Sequence, residues 1–443
     1  MYGAVQLSAA TMIKHNLSWS AVFRFLCFFL IILLSGCSDE EGTISYESTV
    51  LEKKEDFHDN YHFGTDWQYY MTTPYVMSAR MQETDGGCVF VHNDFIYTYK
   101  QGGMIMPLCS KANCLHDQEN DPEKKRECNA WLDYAFYDDE VGSYSGKLML
   151  DKDDLYVCYD IMDNDPEGRN VCVIKLSLDG TSKEVILREN KMHFPLIHRG
   201  ALYYYDVAFT ATEENVAGKI SFNKIDLEKK KLSKEVLFYD GVQHGSLPLR
   251  ALGDYVWFTM INGTDTLSQV YNIRTGEIEK TELGFDALML FNGKLYREPR
   301  NGLENSIYLT EIYESDVYGG SKGTVLSSVE QYNTPLSDGH YFYLDNSLIN
   351  QEFPERERKC TVYDTGFRKV DEYKIPDIGY SGEIPIGGKD FQYVVYNEKE
   401  SERWGLLIFD KKEIGSIQGK ECPYRILWYG DDQTEPAAFI AAP

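Results

Sequence analysis

Three cysteines and one histidine lie close together in a polar stretch of the chain, as Cys109, Cys114, His116 and Cys128. Three thiolates and one imidazole form a Cys₃His set, which suits tetrahedral zinc. Four protein ligands leave no open coordination position, so a zinc ion here would be structural. The spacing departs from the common C-x₂-C knuckle, and in an oxidising compartment a disulfide, Cys109–Cys128 or Cys114–Cys128, is the natural alternative. The residues therefore leave three interpretations open, a disulfide, a structural zinc site or free thiols.

A second pair of cysteines, Cys158 and Cys172, is placed symmetrically about Asp165. In a hairpin whose loop is centred there, the two residues would face each other, and so would Tyr156 and Ile174. Directly opposite residues in a non-hydrogen-bonded pair come close enough for a cross-strand disulfide, although with some strain. The pattern predicts either this disulfide or two buried thiols.

The sequence offers no convincing catalytic motif. Gly319 to Gly323 matches G-x-S-x-G, but a nucleophile elbow needs a strand before it and a helix after it. Gly415 to Lys420 has the wrong spacing for a P-loop, and Glu421 stands where Ser or Thr is required. Two carboxylates at the right separation would suffice for a glycosidase or a lyase, but the sequence does not single out such a pair among 70 acidic residues. We predict no catalytic residue, favour a non-catalytic protein, and leave enzymatic activity open.

A loose four-residue motif recurs along the chain and predicts the elements that position these groups. It consists of Gly or Asp, any residue, an apolar residue and an aromatic, at the point where a turn enters a strand. The seven copies begin at Asp94, Asp153, Gly200, Asp254, Gly293, Gly339 and Asp390. Four short strands per unit of roughly 40 to 50 residues are typical of a β-propeller blade. With 33 Tyr and 22 Phe favouring strands, we predict an all-β propeller of seven four-stranded blades, with six or eight as alternatives.

The repeat rhythm resembles that of the TolB-like and quinoprotein-like propellers found in many bacterial surface lipoproteins. The resemblance covers residues 66–430 and implies a fold without implying an activity. The Cys/His cluster falls in a predicted insertion at residues 108–130, and residues 431–443 are predicted to form a C-terminal tail. Residues 68–76 and 423–429 are further strand candidates whose pairing would close the ring.

The N-terminal segment combines Lys14 and Arg24 with an unbroken apolar run at residues 25–34. A short apolar core behind a basic region is typical of a secretory signal, and it is too short to span a membrane comfortably. The ending Leu34-Ser35-Gly36-Cys37 resembles the lipobox of bacterial lipoproteins. That resemblance implies removal of the signal peptide (residues 1–36), lipidation of Cys37, and attachment to the extracytoplasmic face of the cell membrane. Residues 37–65 are predicted to form a flexible acidic tether. The alternative to a cleaved signal peptide is a membrane anchor that is never cut.

The acidic balance limits the class of partner. The net charge of −26 becomes −28 when the signal peptide takes away Lys14 and Arg24, which argues against nucleic acid. We expect a lipid-anchored binding or scaffolding module whose partner is a protein or a glycan of the cell envelope. The alternative is a carbohydrate-active propeller enzyme with carboxylates in its channel. A substrate-binding protein of an importer would instead show alternating βαβ units, which this chain lacks.

Overall fold

The fold is built from short strands that follow one another along the chain as antiparallel neighbours. The computed structural model describes residues 80–132, 147–161, 170–190, 192–211, 216–229, 231–242, 244–262, 265–283, 286–291, 293–299, 310–328, 334–346, 357–376, 390–398 and 403–437. These residues form seven four-stranded antiparallel sheets in a ring, which is a seven-bladed β-propeller. The predicted fold class and blade number are confirmed. The predicted strand at 68–76 and the lipobox lie outside the described residues.

Each blade comes from one continuous part of the chain. Blade 1 contains β1 (Met81–Thr84), β2 (Gly87–His92), β3 (Phe95–Lys100) and β4 (Met106–Pro107); blade 2 contains β5 (Lys147–Asp151), β6 (Asp154–Ile161), β7 (Asn170–Ser177) and β8 (Lys183–Asn190). Blade 3 contains β9 (Met192–His198), β10 (Ala201–Ala211), β11 (Val216–Asp226) and β12 (Lys231–Val242); blade 4 contains β13 (His244–Leu252), β14 (Tyr255–Asn262), β15 (Asp265–Asn272) and β16 (Ile278–Lys280). Blade 5 contains β17 (Ala287–Phe291), β18 (Lys294–Glu298), β19 (Thr310–Ser315) and β20 (Ser321–Ser328). Blade 6 contains β21 (Thr334–Ser337), β22 (Phe342–Asp345), β23 (Lys359–Tyr363) and β24 (Lys369–Lys374); blade 7 contains β25 (Phe391–Asn397), β26 (Trp404–Asp410), β27 (Arg425–Trp428) and β28 (Glu435–Pro436).

Helical structure is minor in the described part of the chain. It comprises the six-residue helix α1 (Pro122–Glu127) and the 3₁₀ turns His116–Gln118 and Lys411–Glu413. Among the residues that the structure describes, no helix is long and apolar enough to cross a membrane. The last strand, β28, continues the sheet of blade 7 beyond the domain boundary predicted at residue 430.

The repeated four-residue motif lies at a turn–strand junction in all seven copies, as predicted. Its first residue occupies the left-handed region where the turn requires it, as at Gly200 (φ +75°) and Gly293 (φ +68°). In blades 2 to 6 the motif begins the second strand. In blade 1 it begins β3, the third strand, and in blade 7 it begins β25, the first. The motif therefore counts the blades correctly without marking one fixed strand in the first and last of them.

Aromatic side chains pack adjacent blades against each other. The rings of Phe222 on β11 and Phe258 on β14 stack with centroids 4.4 Å apart, and both side chains are fully buried. The indole N–H of Trp257, also fully buried, donates to the carbonyl oxygen of Val317 in blade 5 at 3.0 Å. Each buried aromatic of this kind contributes roughly 1.5–3 kcal/mol of hydrophobic stabilisation. The abundance of Tyr and Phe is thus explained by the contacts between blades.

The register of β6 with β7 corrects the expected alignment of two cysteines. Cys158 pairs with Val173, and Cys172 pairs with Tyr159, one residue away from the predicted register. A shift of one residue moves a side chain to the other face of a sheet. Cys158 accordingly packs with the core towards blade 3, and Cys172 packs with the core towards blade 1. This register does not support the Cys158–Cys172 disulfide and favours the alternative of two buried thiols.

The physical reason lies in the neighbouring apolar pairs. The observed register sets Leu155 opposite Leu176, and all of their side-chain area is buried. The predicted register would have set Leu155 opposite Lys175, which is partly exposed. Burial of apolar side chains against each other outweighs the symmetry of two cysteine positions.

Candidate metal centre

The Cys/His loop (residues 108–130) interrupts the outermost strand of blade 1. The N–H of Leu108 donates to the carbonyl oxygen of Ile96 at 2.8 Å, and the N–H of Ile96 donates to the carbonyl oxygen of Ala130 at 2.8 Å. Residues 106–108 and 130–132 are thus two halves of one strand beside β3. The predicted insertion lies between these halves, and both of its ends are held by the sheet.

The loop brings together all four predicted ligands, Cys109, Cys114, His116 and Cys128. Their ligand atoms all lie within 4.8 Å of one another, and Cys128 Sγ lies 3.7 Å from His116 Nδ1. In a tetrahedral site with zinc–sulfur bonds of about 2.3 Å, neighbouring sulfur ligands are about 3.8 Å apart. The donor set and its spacing therefore fit a tetrahedral metal ion after shifts of about 1 Å.

Local backbone structure positions each ligand. The N–H of Cys109 donates to Pro107 O at 2.8 Å, directly after β4. His116 has a φ of +54°, which turns the chain back after Cys114. Asp121 caps α1 by accepting from the N–H of Glu123 at 3.0 Å, and Cys128 stands at the C-terminal end of that helix. The helix therefore fixes the distance between the first three ligands and the last.

The pKa values of the Cys109 and Cys128 thiols are shifted in opposite directions. Burial alone would raise the pKa of Cys109, but hydrogen bonds from the backbone N–H groups of Lys111 and Asn129 lower it. Burial first, and then the negative charge of Cys109, raise the pKa of Cys128 to about 12. A bound divalent cation would favour the thiolate at both positions.

Beside the ligands lies a cavity of about 140 Å³, which is lined by Lys111, Ala112, Asn113, Cys114, Leu115, His116, Glu119, Lys124, Lys125, Glu127 and Cys128.

On one side the Cys/His loop is bound to blade 2. Gly180, in the turn between β7 and β8, accepts at its carbonyl oxygen from the N–H of Ser110 (3.1 Å) and from Asn129 Nδ2 (2.8 Å). Lys183 Nζ donates to the carbonyl oxygens of Cys128 and Trp131. Gly180 has a φ of +73°, and a Cβ atom there would lie 2.8 Å from the backbone nitrogen of Cys109. This contact requires a glycine.

On the other side the loop reaches the junction of blades 1 and 7. One oxygen of Asp117, the residue after His116, accepts from the hydroxyl groups of Tyr97 (2.9 Å) and Tyr429 (2.7 Å). Tyr97 belongs to β3 of blade 1, and Tyr429 follows β27 of blade 7. Burial first, and then the Asp117 carboxylate, raise the pKa of both phenols, so both remain donors. A single carboxylate thus joins the Cys/His loop to the first and last blades.

Aromatic contacts surround this carboxylate. Trp404 on β26 stacks on Tyr429 with ring centroids 4.5 Å apart, and its ring centroid lies 4.2 Å from that of His92 and 4.8 Å from that of Tyr97. We call the contacts among His92, Tyr97, Trp404 and Tyr429 the seam. Burial, with a smaller contribution from the charge of Arg80, lowers the pKa of His92 to about 4.

Two buried carboxylates elsewhere in the described residues, Asp338 and Asp371, make structural contacts. Asp338 accepts from the N–H groups of His340 (2.8 Å) and Tyr341 (2.6 Å), and it forms a buried ion pair with Lys411. Asp371 accepts from the N–H groups of Gly415 (2.6 Å), Ile417 (3.1 Å) and Gln418 (2.8 Å), which ties blade 6 to blade 7. These carboxylates hold turns in place, and their hydrogen bonds go to the protein's own groups.

Sequence reasoning grouped the four candidate ligands, which the structure brings together, but missed the network around Asp117. Asp117 could have been singled out only as a carboxylate next to a candidate ligand. Nothing local marks Tyr429, which lies 312 residues away from Asp117 in the sequence.

Comparison with known proteins gives similarities in structure only. No protein-family model and no curated protein sequence matches the chain. Solved structures with a similar chain trace include the β-propeller domain of the Trilobed protease from Pyrococcus furiosus, with a TM-score of 0.38 and 15% identity over 67% of this chain and 99% of that one. An oligogalacturonate lyase in complex with manganese gives a TM-score of 0.44 with 11% identity over 78% of this chain and 89% of that one. The proposed TolB of Agrobacterium tumefaciens gives a TM-score of 0.29 with 7% identity over 56% and 78% of the two chains.

Proposed function

We propose that this protein is a lipoprotein, attached through Cys37 to the extracytoplasmic face of a cell membrane, whose propeller serves as a non-catalytic binding or scaffolding module. Its partner is a protein or a glycan of the cell envelope. The anchor rests on the sequence Leu34-Ser35-Gly36-Cys37 behind a short apolar run. The high negative charge supports a partner other than nucleic acid.

The observation that best supports a non-catalytic role is how the Cys/His cluster and two buried carboxylates, Asp338 and Asp371, are used. The described cluster of metal-ligating side chains has four protein ligands, which leaves no position for a substrate. The buried Asp338 and Asp371 both accept hydrogen bonds from backbone N–H groups, and Asp338 also forms an ion pair. A general acid or base needs a group that is available to a reacting molecule.

For the Cys/His loop we propose structural Zn²⁺, bound by Cys109, Cys114, His116 and Cys128. Three sulfur donors and one nitrogen donor suit zinc better than they suit calcium or magnesium, which prefer oxygen. The zinc ion would stabilise the loop, because the bonds between zinc and the four side chains would supply the stabilisation that this polar segment does not gain from apolar burial.

The anchor is tested by metabolic labelling with an alkynyl fatty acid. Cys37→Ala should lose the label and leave the membrane fraction, whereas Cys27→Ala, inside the apolar run, should keep both. Labelling that persists in Cys37→Ala would contradict the lipid anchor.

The binding role is tested by cross-linking and co-purification from native cells, with wild type compared with Cys37→Ala. Stoichiometric recovery of a defined envelope protein or glycan, only from the anchored form, supports a scaffold. Turnover of cell-wall or host glycans by the purified protein would overturn the non-catalytic role.

Intact mass spectrometry tests the metal. Loss of about 65 mass units on denaturation without reductant indicates zinc. A deficit of two protons that survives denaturation indicates a disulfide and contradicts the metal site.

A further inference from the structure

We infer that the Cys₃His centre acts as a clasp for the propeller, so that metal binding in the Cys/His loop closes the seam between blade 1 and blade 7 through Asp117. The inference rests on the proposed metal site and adds a long-range consequence to it.

The described contacts between blade 1 and blade 7 are made by side chains. In the described residues, no strand of blade 1 pairs with a strand of blade 7, since β1–β4 and β25–β28 form separate sheets. Side chains therefore carry the described junction. Trp404 of blade 7 contacts His92 and Tyr97 of blade 1, and Leu406 and Leu427 of blade 7 share a buried apolar core with blade 1. Contacts of this kind can open without the loss of any strand pairing within a blade.

Asp117 is the group that connects the metal centre to this junction. It follows His116 directly in a 3₁₀ turn, and its carboxylate accepts from Tyr97 of blade 1 and from Tyr429 of blade 7. Hydrogen bonds to a carboxylate are stronger than neutral ones. A shift of His116 by about 1 Å would lengthen both bonds, because the two residues share a peptide unit.

The loop has few other means of holding Asp117 in place. None of the residues of α1 or of the 3₁₀ turn His116–Gln118 is buried, and Leu115 is 57% exposed. A segment with so little apolar burial does not offset the entropy of ordering. Its fixed points are its two strand ends, its contacts with Gly180 and Lys183 of blade 2, and the cluster of ligands. Metal binding at the cluster is therefore what sets the position of Asp117.

The test compares hydrogen–deuterium exchange in the mature lipoprotein, kept in detergent, before and after removal of metal with a chelator. We expect chelation to raise exchange at residues 94–100 and 425–429 by at least about tenfold, because two charge-assisted hydrogen bonds are lost. Exchange at the distant strands of blade 4 should stay unchanged. Unchanged exchange at the seam after confirmed metal loss would overturn the inference.

Variants separate the clasp from the metal site itself. Asp117→Ala should retain the metal, as measured by intact mass, and yet show the increase in exchange at the seam. Tyr429→Phe, which leaves the Cys/His loop unaltered, should show it as well. Glu123→Ala is the matched control, because it removes from the same loop an exposed carboxylate that pairs with Arg126 at the surface. A wild type without metal would refute the zinc site, whereas normal exchange in both Asp117→Ala and Tyr429→Phe would refute the clasp.

Discussion

Replacing Gly180 with Ala tests whether the docking of the Cys/His loop on blade 2 supports the metal centre. The new Cβ would lie 2.8 Å from the backbone nitrogen and 2.9 Å from the Cα of Cys109, closer than real Cβ contacts. The left-handed φ of +73° costs roughly 1–2 kcal/mol for alanine. The displacement also weakens the hydrogen bonds from Ser110 and Asn129 to Gly180 O, each worth about 1 kcal/mol. The expected loss of unfolding free energy is roughly 3 kcal/mol.

Gly276→Ala is the matched control. Gly276 lies in the turn between β15 and β16 of blade 4 and has a φ of +77°, and a Cβ atom added there would meet no other atom within 4 Å. It should therefore lose only the roughly 1–2 kcal/mol of backbone strain. The difference of roughly 2 kcal/mol between the two variants measures the docking of the loop.

Two assays read out this pair of variants. Urea unfolding of the mature protein gives the free-energy difference, and competition with a chromophoric chelator gives the metal affinity. If docking and metal binding are coupled, Gly180→Ala should weaken metal affinity by up to roughly 30-fold, and Gly276→Ala should leave it unchanged. Equal stability losses in the two variants, with equal metal affinity, would refute this reasoning.

Three further outcomes are expected. Acidification from pH 6.5 to about 4 should lower the free energy of unfolding by up to roughly 3 kcal/mol, because burial lowers the pKa of His92 and the unfolded chain is protonated first. In urea titrations, His92→Gln should flatten this pH dependence. Burial opposes ionisation of Asp371, but hydrogen bonds from backbone N–H groups outweigh burial and lower the pKa of this carboxyl. Asp371→Ala should therefore reduce the free energy of unfolding by about 2–4 kcal/mol at pH 7, and by progressively less as the pH falls below 4. Cys158 and Cys172 should both react with iodoacetamide in denaturant without reductant, and two alkylations missing from the peptide map would contradict the observed register.

The sequence was sufficient to predict the number of blades, because each repeat has its own turn and its own aromatic residue. Gly200 and Gly293 lie at backbone positions with a positive φ, so the identity of the residue in the sequence indicates the turn. The four candidate ligands could be grouped for a similar reason, since Cys109 and Cys128 lie in one polar insertion.

Features that depend on packing could not be predicted in the same way. The pairing of Leu155 with Leu176 set the register that separates Cys158 from Cys172, and this choice depends on burial from both faces of the sheet. The seam joins Asp117 to a tyrosine near the other end of the chain, and no local pattern encodes a contact at that distance.

The seam also has a consequence for the order of folding. Every described sheet is a meander of adjacent hairpins, so each blade can form from contacts that are short in sequence. The hydrogen bond between Tyr429 and Asp117 instead closes a loop of 312 residues, whose entropic cost is met only after the intervening blades are compact. During synthesis the Cys/His loop is made long before Tyr429, so the loop can fold before the last blade has been synthesised. Joining the two ends of the ring is therefore expected to be the final and slowest step of folding.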